Sequence, residues 1–218
     1  MMVTEKVFRL AHYDRSGSHV TPTYDIHKFS LLFVRLVLGL SSPDERVVGL
    51  DTSVQWTITA TTGRKTAGTI TISSKEDATK TTVCDLDMRY PPILRPTIRG
   101  RGTVGWHALD SVTRRPVLLK DAWRSSTQNS ETDFLLRARG IPGVAKIISF
   151  QDFCAQTSDY RPKDTPNKHF KNLTKARVAL KKYGPSIQHF TSRLQLFQAL
   201  KAAFIGTLLF LVHYAFIL

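Results

Sequence analysis

Gly100-Arg101-Gly102-Thr103-Val104-Gly105 is followed by Val117-Leu118-Leu119-Lys120 and then by Glu131. A glycine turn, an apolar strand ending in lysine and an acid on the next helix make an order suited to gripping phosphate. Glycine lets backbone approach an anion closely, lysine supplies a compact charge, and an acid can aim the lysine. The G-x-G-x-x-G spacing alone does not decide the fold, because dinucleotide-binding domains use it too. In those domains the turn opens a helix, since the pyrophosphate rests on the helix N-terminus. Here Val104–Leu109, Asp110–Pro116 and Val117–Leu119 read as strand, turn and strand. Asp121 lies near the distance of a ribose-binding acid, about 20 residues on, but no helix fits between. The plainer alternative is a glycine-containing β-hairpin with no ligand, and Lys120 and Glu131 argue against it.

Residues Gln128 to Arg139 read as a helix. Asn129 or Ser130 can cap it, acids fill its first turn, and Gly140 stops it with Pro142 beyond. Phe134, Leu135 and Ala138 share a face, and Glu131, four residues before Leu135, lies on that inward side. Each residue also has an ordinary reading. Lys120 can be a solvent-exposed strand lysine, and Glu131 can simply complement the helix dipole. Taken in order, glycine loop, lysine and glutamate make the first half of a protein-kinase nucleotide site. The second half, an H-R-D-x-x-x-x-N loop and a D-F-G motif, is not in these 218 residues.

Several segments in order resemble the fungal-type protein kinases. Val7 to Gly17, containing Asp14-Arg15-Ser16-Gly17, looks like that family's D-R-S-G strand and turn. Ile26-His27, Phe33–Leu40 and Gly49–Asp51 look like the following helix and its exit. Ile98–Thr103 with Trp106 looks like the family's glycine loop, and Leu119–Trp123 like its L-K-D-S-W strand. Gly143-Val144 opens the next strand. Arg177–Pro185 looks like the hinge strand, and Phe190–Leu218 like the helix that delivers the catalytic loop. The resemblance implies ATP-dependent phosphorylation of protein Ser or Thr. It implies that Gly100, Gly102 and Gly105 cover the phosphates, that Lys120 holds the α- and β-phosphates, and that Glu131 orients Lys120. The chain departs from the family where Ala215–Leu218 stops short of a G-I-L-H-R-D-I-S-like junction. The catalytic base and the Mg²⁺ ligands are therefore absent, no catalytic residue is assigned, and the expectation is an inactive fragment or pseudokinase with ATP binding weak or lost.

Composition fits a truncated soluble domain, with 42% hydrophobic residues. Cys84 and Cys154 make neither a metal spacing nor a disulfide framework, which favours a reducing compartment. The first residues carry no apolar signal core, so a cytoplasmic or nuclear location is expected. The net charge of +14 raises a nucleic-acid alternative. The basic residues are scattered, however. Their densest group, Lys163, Lys168, Lys171, Lys175, Arg177, Lys181 and Lys182, reads as a solvated insert, so nucleic acid is an unlikely partner and a nucleotide a possible one. No protein partner is indicated.

The expected architecture is α+β. Residues 1–92 form an N-terminal α/β extension, with 53–90 all-β and a polar loop at 75–82. Residues 93–218 form a partial kinase-like domain: a five-stranded antiparallel N-lobe sheet plus one helix, a loop over 156–175, and the first long C-lobe helix. That last helix carries the runner-up reading. Ala202–Leu218 is almost wholly apolar and, at 1.5 Å per residue, spans roughly 26 Å, slightly short of a bilayer core of about 30 Å. A tail-anchored membrane protein is the alternative. A buried kinase helix left uncovered, prone to aggregation, is favoured over it.

Overall fold

A computed structural model describes residues 1–73, 81–95, 97–161, 170–182, 184 and 189–215, with side chains described to Val212. The chain starts with β1 (Met2–Val3), β2 (Val7–Arg9), β3 (Ala11–Asp14), β4 (Gly17–Val20), β5 (Tyr24–Asp25) and α1 (Ser30–Leu40). β2 lies between β1 and β5, while β3 and β4 form a separate hairpin. Phe8 is buried and stacks on Tyr24 and Phe33, with ring centroids 5.4 and 5.3 Å away. Although α1 is nearly all apolar, none of its residues is buried.

Eight strands make the main sheet. They are β6 (Val54–Ile58), β7 (Lys65–Ser73), β8 (Thr81–Leu86), β9 (Ile93–Leu94), β10 (Val104–Asp110), β11 (Pro116–Ser125), β12 (Ile147–Gln156) and β13 (Leu173–Lys181). Their order is β12-β13-β11-β10-β8-β7-β6, with β9 also on β10. All the pairings are antiparallel. One edge of β10 is shared: Val104 and Gly105 pair with β9, and Ala108–Asp110 pair with β8.

The period-two alternation expected at Ile70 and Ile72 holds. Both are buried, with Cys84, Ala108, Val117, Leu119 and Ala179, on one face of the sheet. The sheet curls around this core, so that the Ser73 amide at the end of β7 meets Gln151 of β12 at 3.3 Å. Gly68 is needed where it stands, because the Trp56 ring of the paired strand lies 2.8 Å from where a Cβ would sit.

Three sequence expectations change. Among the described residues the sheet does not stop at the five strands of 93–218 (β9–β13), because β8 completes the half of β10 that β9 leaves open and carries β7 and β6 with it. One sheet therefore runs across residue 92. The loop expected over 156–175 is in part ordered. Thr157–Tyr160 is a 3-10 turn and Leu173–Lys175 belongs to β13, while 162–169 lie outside the described residues. The polar loop at 75–82 is likewise shorter, since Thr81 and Thr82 pair in β8 and 74–80 lie outside the described residues.

The basic cluster is also not simply solvated. Arg177 is 1% exposed and grips Asp121 bidentately at 2.6 and 2.7 Å, bonds Asp51 at 2.9 Å and reaches Ser53 at 2.5 Å. Lys175 pairs with Asp51 and lies 3.5 Å from Asp121. Two cations and two carboxylates thus balance within the fold and tie the entry to β6 onto β11 and β13. Lys163, Lys168 and His169 lie outside the described residues.

Candidate functional site

The β10–β11 pairing sets Gly105 directly opposite Lys120, and the β11–β13 pairing sets Lys120 opposite Val178. Because strand side chains alternate, Lys120 and Ala122 point away from the face that holds Leu119 and the Asp121–Arg177 pair. The core thus fills one side of the sheet and leaves the other for a ligand.

Before β10 runs the glycine turn. Gly100 has φ of 101° and Gly102 of 44°, the left-handed region that side chains seldom adopt. The Trp123 amide donates to the Arg101 carbonyl at 2.8 Å, and the Gly100 amide donates to the Arg15 carbonyl at 2.8 Å. Gly105 has neither a positive φ nor a clashing neighbour. Its effect is to leave bare the strand position facing Lys120.

Glu131 comes from α2 (Glu131–Arg137). Ser130 caps this helix. Its hydroxyl accepts from the Thr132 amide at 3.2 Å, and Asp133 accepts from the Ser130 amide at 3.2 Å, the reciprocal capping box. Ser130 Oγ also donates to Asp152 on β12 at 3.1 Å, which ties the helix start to the sheet. Lys120 Nζ then donates to both carboxylate oxygens of Glu131, at 2.6 and 2.7 Å. The pair expected from residue order is therefore formed. It is partly solvated, with side-chain exposures of 32% and 47%. The helix face differs in part from expectation: Ala138 is buried as expected, but so is Thr132, while Phe134 is 40% exposed. A helix this short turns its cap side to the sheet.

A cavity of about 390 Å³ opens beside the pair, lined among others by Arg101, Thr103, Lys120, Ala122, Glu131 and Val178. That volume lies within the range of small-molecule sites, about 300–1,000 Å³. Arg101 and Arg124 line the cavity beside Lys120, and Arg101's place inside the glycine motif was a signal available in the sequence. Of the five candidate residues, Lys120 and Glu131 line the cavity and Gly100, Gly102 and Gly105 do not; the glycine turn contributes Arg101 and Thr103, and among the described residues Glu131 is the only acid lining it. Such an arrangement can hold an anionic group between a lysine aimed by an acid and the arginine of the glycine turn.

Other reactive groups lie elsewhere. Burial pushes the thiols of Cys84 and Cys154 up to about 11, so neither is a ready nucleophile. Among the described residues no cluster of three or more His, Cys, Asp or Glu is placed to hold a metal. The final helix, α3 (Arg193–Ala215), packs on the Pro142–Gly143 turn that follows α2: a Cβ at Gly206 would lie 2.9 Å from the Pro142 carbonyl, and one at Gly143 would overlap the Ala202 carbonyl.

A family model described as fungal protein kinase matches residues 1–163. No curated protein and no solved structure matches the chain. The match takes in the glycine turn, Lys120 and Glu131, and stops before β13 and α3.

Proposed function

Because this chain belongs to the fungal protein kinase family, we propose that the cavity beside Lys120 is the phosphate-gripping half of an ATP site. One observation carries the reading: Lys120 is held by both oxygens of Glu131, in register with Gly105 of the glycine-turn strand. In this reading β9, β10, β11, β13 and β12, with α2, form the kinase N-lobe, and β6–β8 extend its sheet. Lys120 holds the α- and β-phosphates, Glu131 aims it, and Gly100, Gly102 and Gly105 cover the phosphates. Bound ATP would supply the transferable phosphoryl group for protein Ser or Thr. Arg101 fits that ligand by adding positive charge. Mg²⁺ does not fit these residues, since Glu131 is already paired with Lys120.

The 218 residues contain no H-R-D-x-x-x-x-N loop and no D-F-G motif. Assayed by itself, this chain binds the nucleotide without transferring phosphate. The test is an equilibrium titration with a fluorescent ATP analogue, displaced by ATP. Lys120→Met and Glu131→Gln each weaken binding by about tenfold, about 1.4 kcal/mol. A wild-type chain that shows no saturable, ATP-displaceable signal sinks the reading. Phosphate incorporation that vanishes in Lys120→Met sinks the claim of no transfer.

A second reading rests on α3. Within its stretch Arg193–Val212 an 18-residue window has mean hydropathy 1.6 and is 6% buried, and by length and composition the helix could cross a bilayer. In that reading the protein is membrane-associated rather than cytoplasmic or nuclear. The seat of Gly206 on the Pro142–Gly143 turn favours the helix as part of the kinase fold.

A further inference from the structure

The glycine turn is held from outside the site by the β3–β4 hairpin. Gly100 donates its amide to the Arg15 carbonyl at 2.8 Å. The Arg15 side chain continues past Gly102, where its Nη1 donates to the carbonyl of Thr97 and, at 3.2 Å, to that of Ile98. A methyl group at Gly102 would overlap the Arg15 guanidinium. Gly102 therefore gives space to Arg15 as well as adopting a left-handed φ.

The hairpin tip that carries Arg15 is itself anchored. Asp14 accepts the amides of Ser16 and Gly17 at 2.7 and 3.1 Å, which fixes the turn. Asp14 also accepts Nε and Nη2 of Arg161 at 2.6 and 2.8 Å, in a pair only 8% and 11% exposed. The Ser16 hydroxyl lies 2.9 Å from that of buried Thr157 and donates to the Lys171 carbonyl at 2.5 Å. Bonds thus run from the end of β12 and the start of β13, through the hairpin, to the glycine turn. Behind the turn lies a second cavity of about 780 Å³, lined in part by Tyr13, Arg15, Arg95, Ile98, Trp123 and Tyr160. A turn released by Arg15 has room to swing into it.

We infer that Arg15 is a positioning residue that fixes the glycine turn over the Lys120 cavity. It does not line that cavity and touches no reacting atom. Its consequence for nucleotide binding rests on the ATP-site reading above: a turn already in place need not be ordered by the ligand, so less binding energy is lost to ordering.

Two measurements on the whole 218-residue chain separate the inference from that reading. The first is hydrogen–deuterium exchange without nucleotide, following amides 97–105 against those of β11 and β13. Arg15→Ala speeds exchange at 100–103 by roughly tenfold, as loss of a charge-assisted hydrogen bond predicts, with β11 and β13 unchanged. Arg15→Lys, which keeps the charge but not the planar guanidinium whose Nη1 reaches both carbonyls, falls between. Gly102→Ala mimics Arg15→Ala, and when Arg15 is already alanine it adds only the strain of its left-handed φ, because the overlapped group is gone. The second measurement is the affinity for the fluorescent ATP analogue, which Arg15→Ala lowers by roughly tenfold.

Unchanged exchange at 100–103 in both Arg15 variants overturns the inference, as does strict additivity of the Arg15 and Gly102 changes. If Arg15→Ala loosens β11 and β13 too, Arg15→Lys and Gly102→Ala decide, by the turn's exchange relative to an intact sheet. A wild-type chain that ignores the analogue while Arg15→Ala frees the turn removes the ATP reading and leaves the brace standing. An analogue bound equally by wild type and Arg15→Ala over an unmoved turn does the reverse.

Discussion

Lys120 and Arg177 are both ion-paired, yet their pairs differ in what they contribute. Lys120–Glu131 is half-solvated, and exposed pairs contribute about 0.2–1 kcal/mol. Lys120→Met is expected to move the denaturation midpoint little while cutting nucleotide affinity about tenfold, and a urea melt beside a nucleotide titration reads both. Arg177 is the opposite case. Burial opposes its charge, but Asp121 and Asp51 outweigh burial and raise its pKa above the usual value. Removing it leaves two carboxylates facing Lys175 alone. Arg177→Met is expected to cost about 3–5 kcal/mol in a urea melt. The double change Arg177→Met with Asp121→Leu is expected to cost less than the two single changes together, because no charge is then stranded by its partner's loss. Equal cost for Lys120→Met and Arg177→Met would sink the distinction. Lys120 and Glu131 were legible in the sequence because a strand and the start of the next helix are near neighbours along the chain. Arg177 was hidden in a basic-looking stretch, since its partners lie 56 and 126 positions away.

The β3–β4 hairpin and α2 are the elements that place the site. At Asp14 burial resists ionisation, but the Arg161 guanidinium and the Ser16 amide outweigh it and hold the carboxyl below its usual 3.8. A depressed folded-state pKa contributes stability that is present above the unfolded value, near 3.9, and lost as pH falls through the folded one. Asp14→Asn is therefore expected to lower stability at pH 7 and to shrink the gap to wild type as pH drops below about 4. Thermal melts of both proteins across pH 2–7, pH values set by the experimenter about the carboxylate range, check this, and a constant gap would contradict it. On α2, Ser130→Ala removes the cap hydroxyl and its bond to Asp152. The expected loss is about 1 kcal/mol, with weaker nucleotide binding because Glu131 then sits on a frayed first turn. The sequence offered Asn129 or Ser130 as the cap, and the structure selects Ser130 through its capping box with Asp133. That Thr132, not Phe134, would be buried was not readable, because seven residues are too few for periodicity to choose a face.

At the scale of the whole molecule, α3 exposes Leu194, Phe197, Phe204, Leu208 and Leu211, a large apolar surface that soluble monomers seldom carry. Deleting residues 202–218 is expected to convert a pelleting protein into a soluble one. Extraction of the full chain with alkaline carbonate then distinguishes the causes: retention in membranes supports a lipid-spanning α3, and detergent-insoluble pellet supports an exposed core helix. A full chain that is soluble and monomeric contradicts both. The sequence alone determined the order of the site, from glycine turn to Lys120 to Glu131, and a helix start at Asn129 or Ser130, because those rest on turn chemistry, capping and neighbours close along the chain. It also marked the α+β class through alternation and periodicity. Only the tertiary structure decided that β8 joins β10 in one eight-stranded sheet, that Arg177 is buried between Asp121 and Asp51, and that Arg15 reaches the glycine turn. Strand pairing and buried charge depend on residues far apart in the chain, and no local pattern states which distant backbone or carboxylate will arrive.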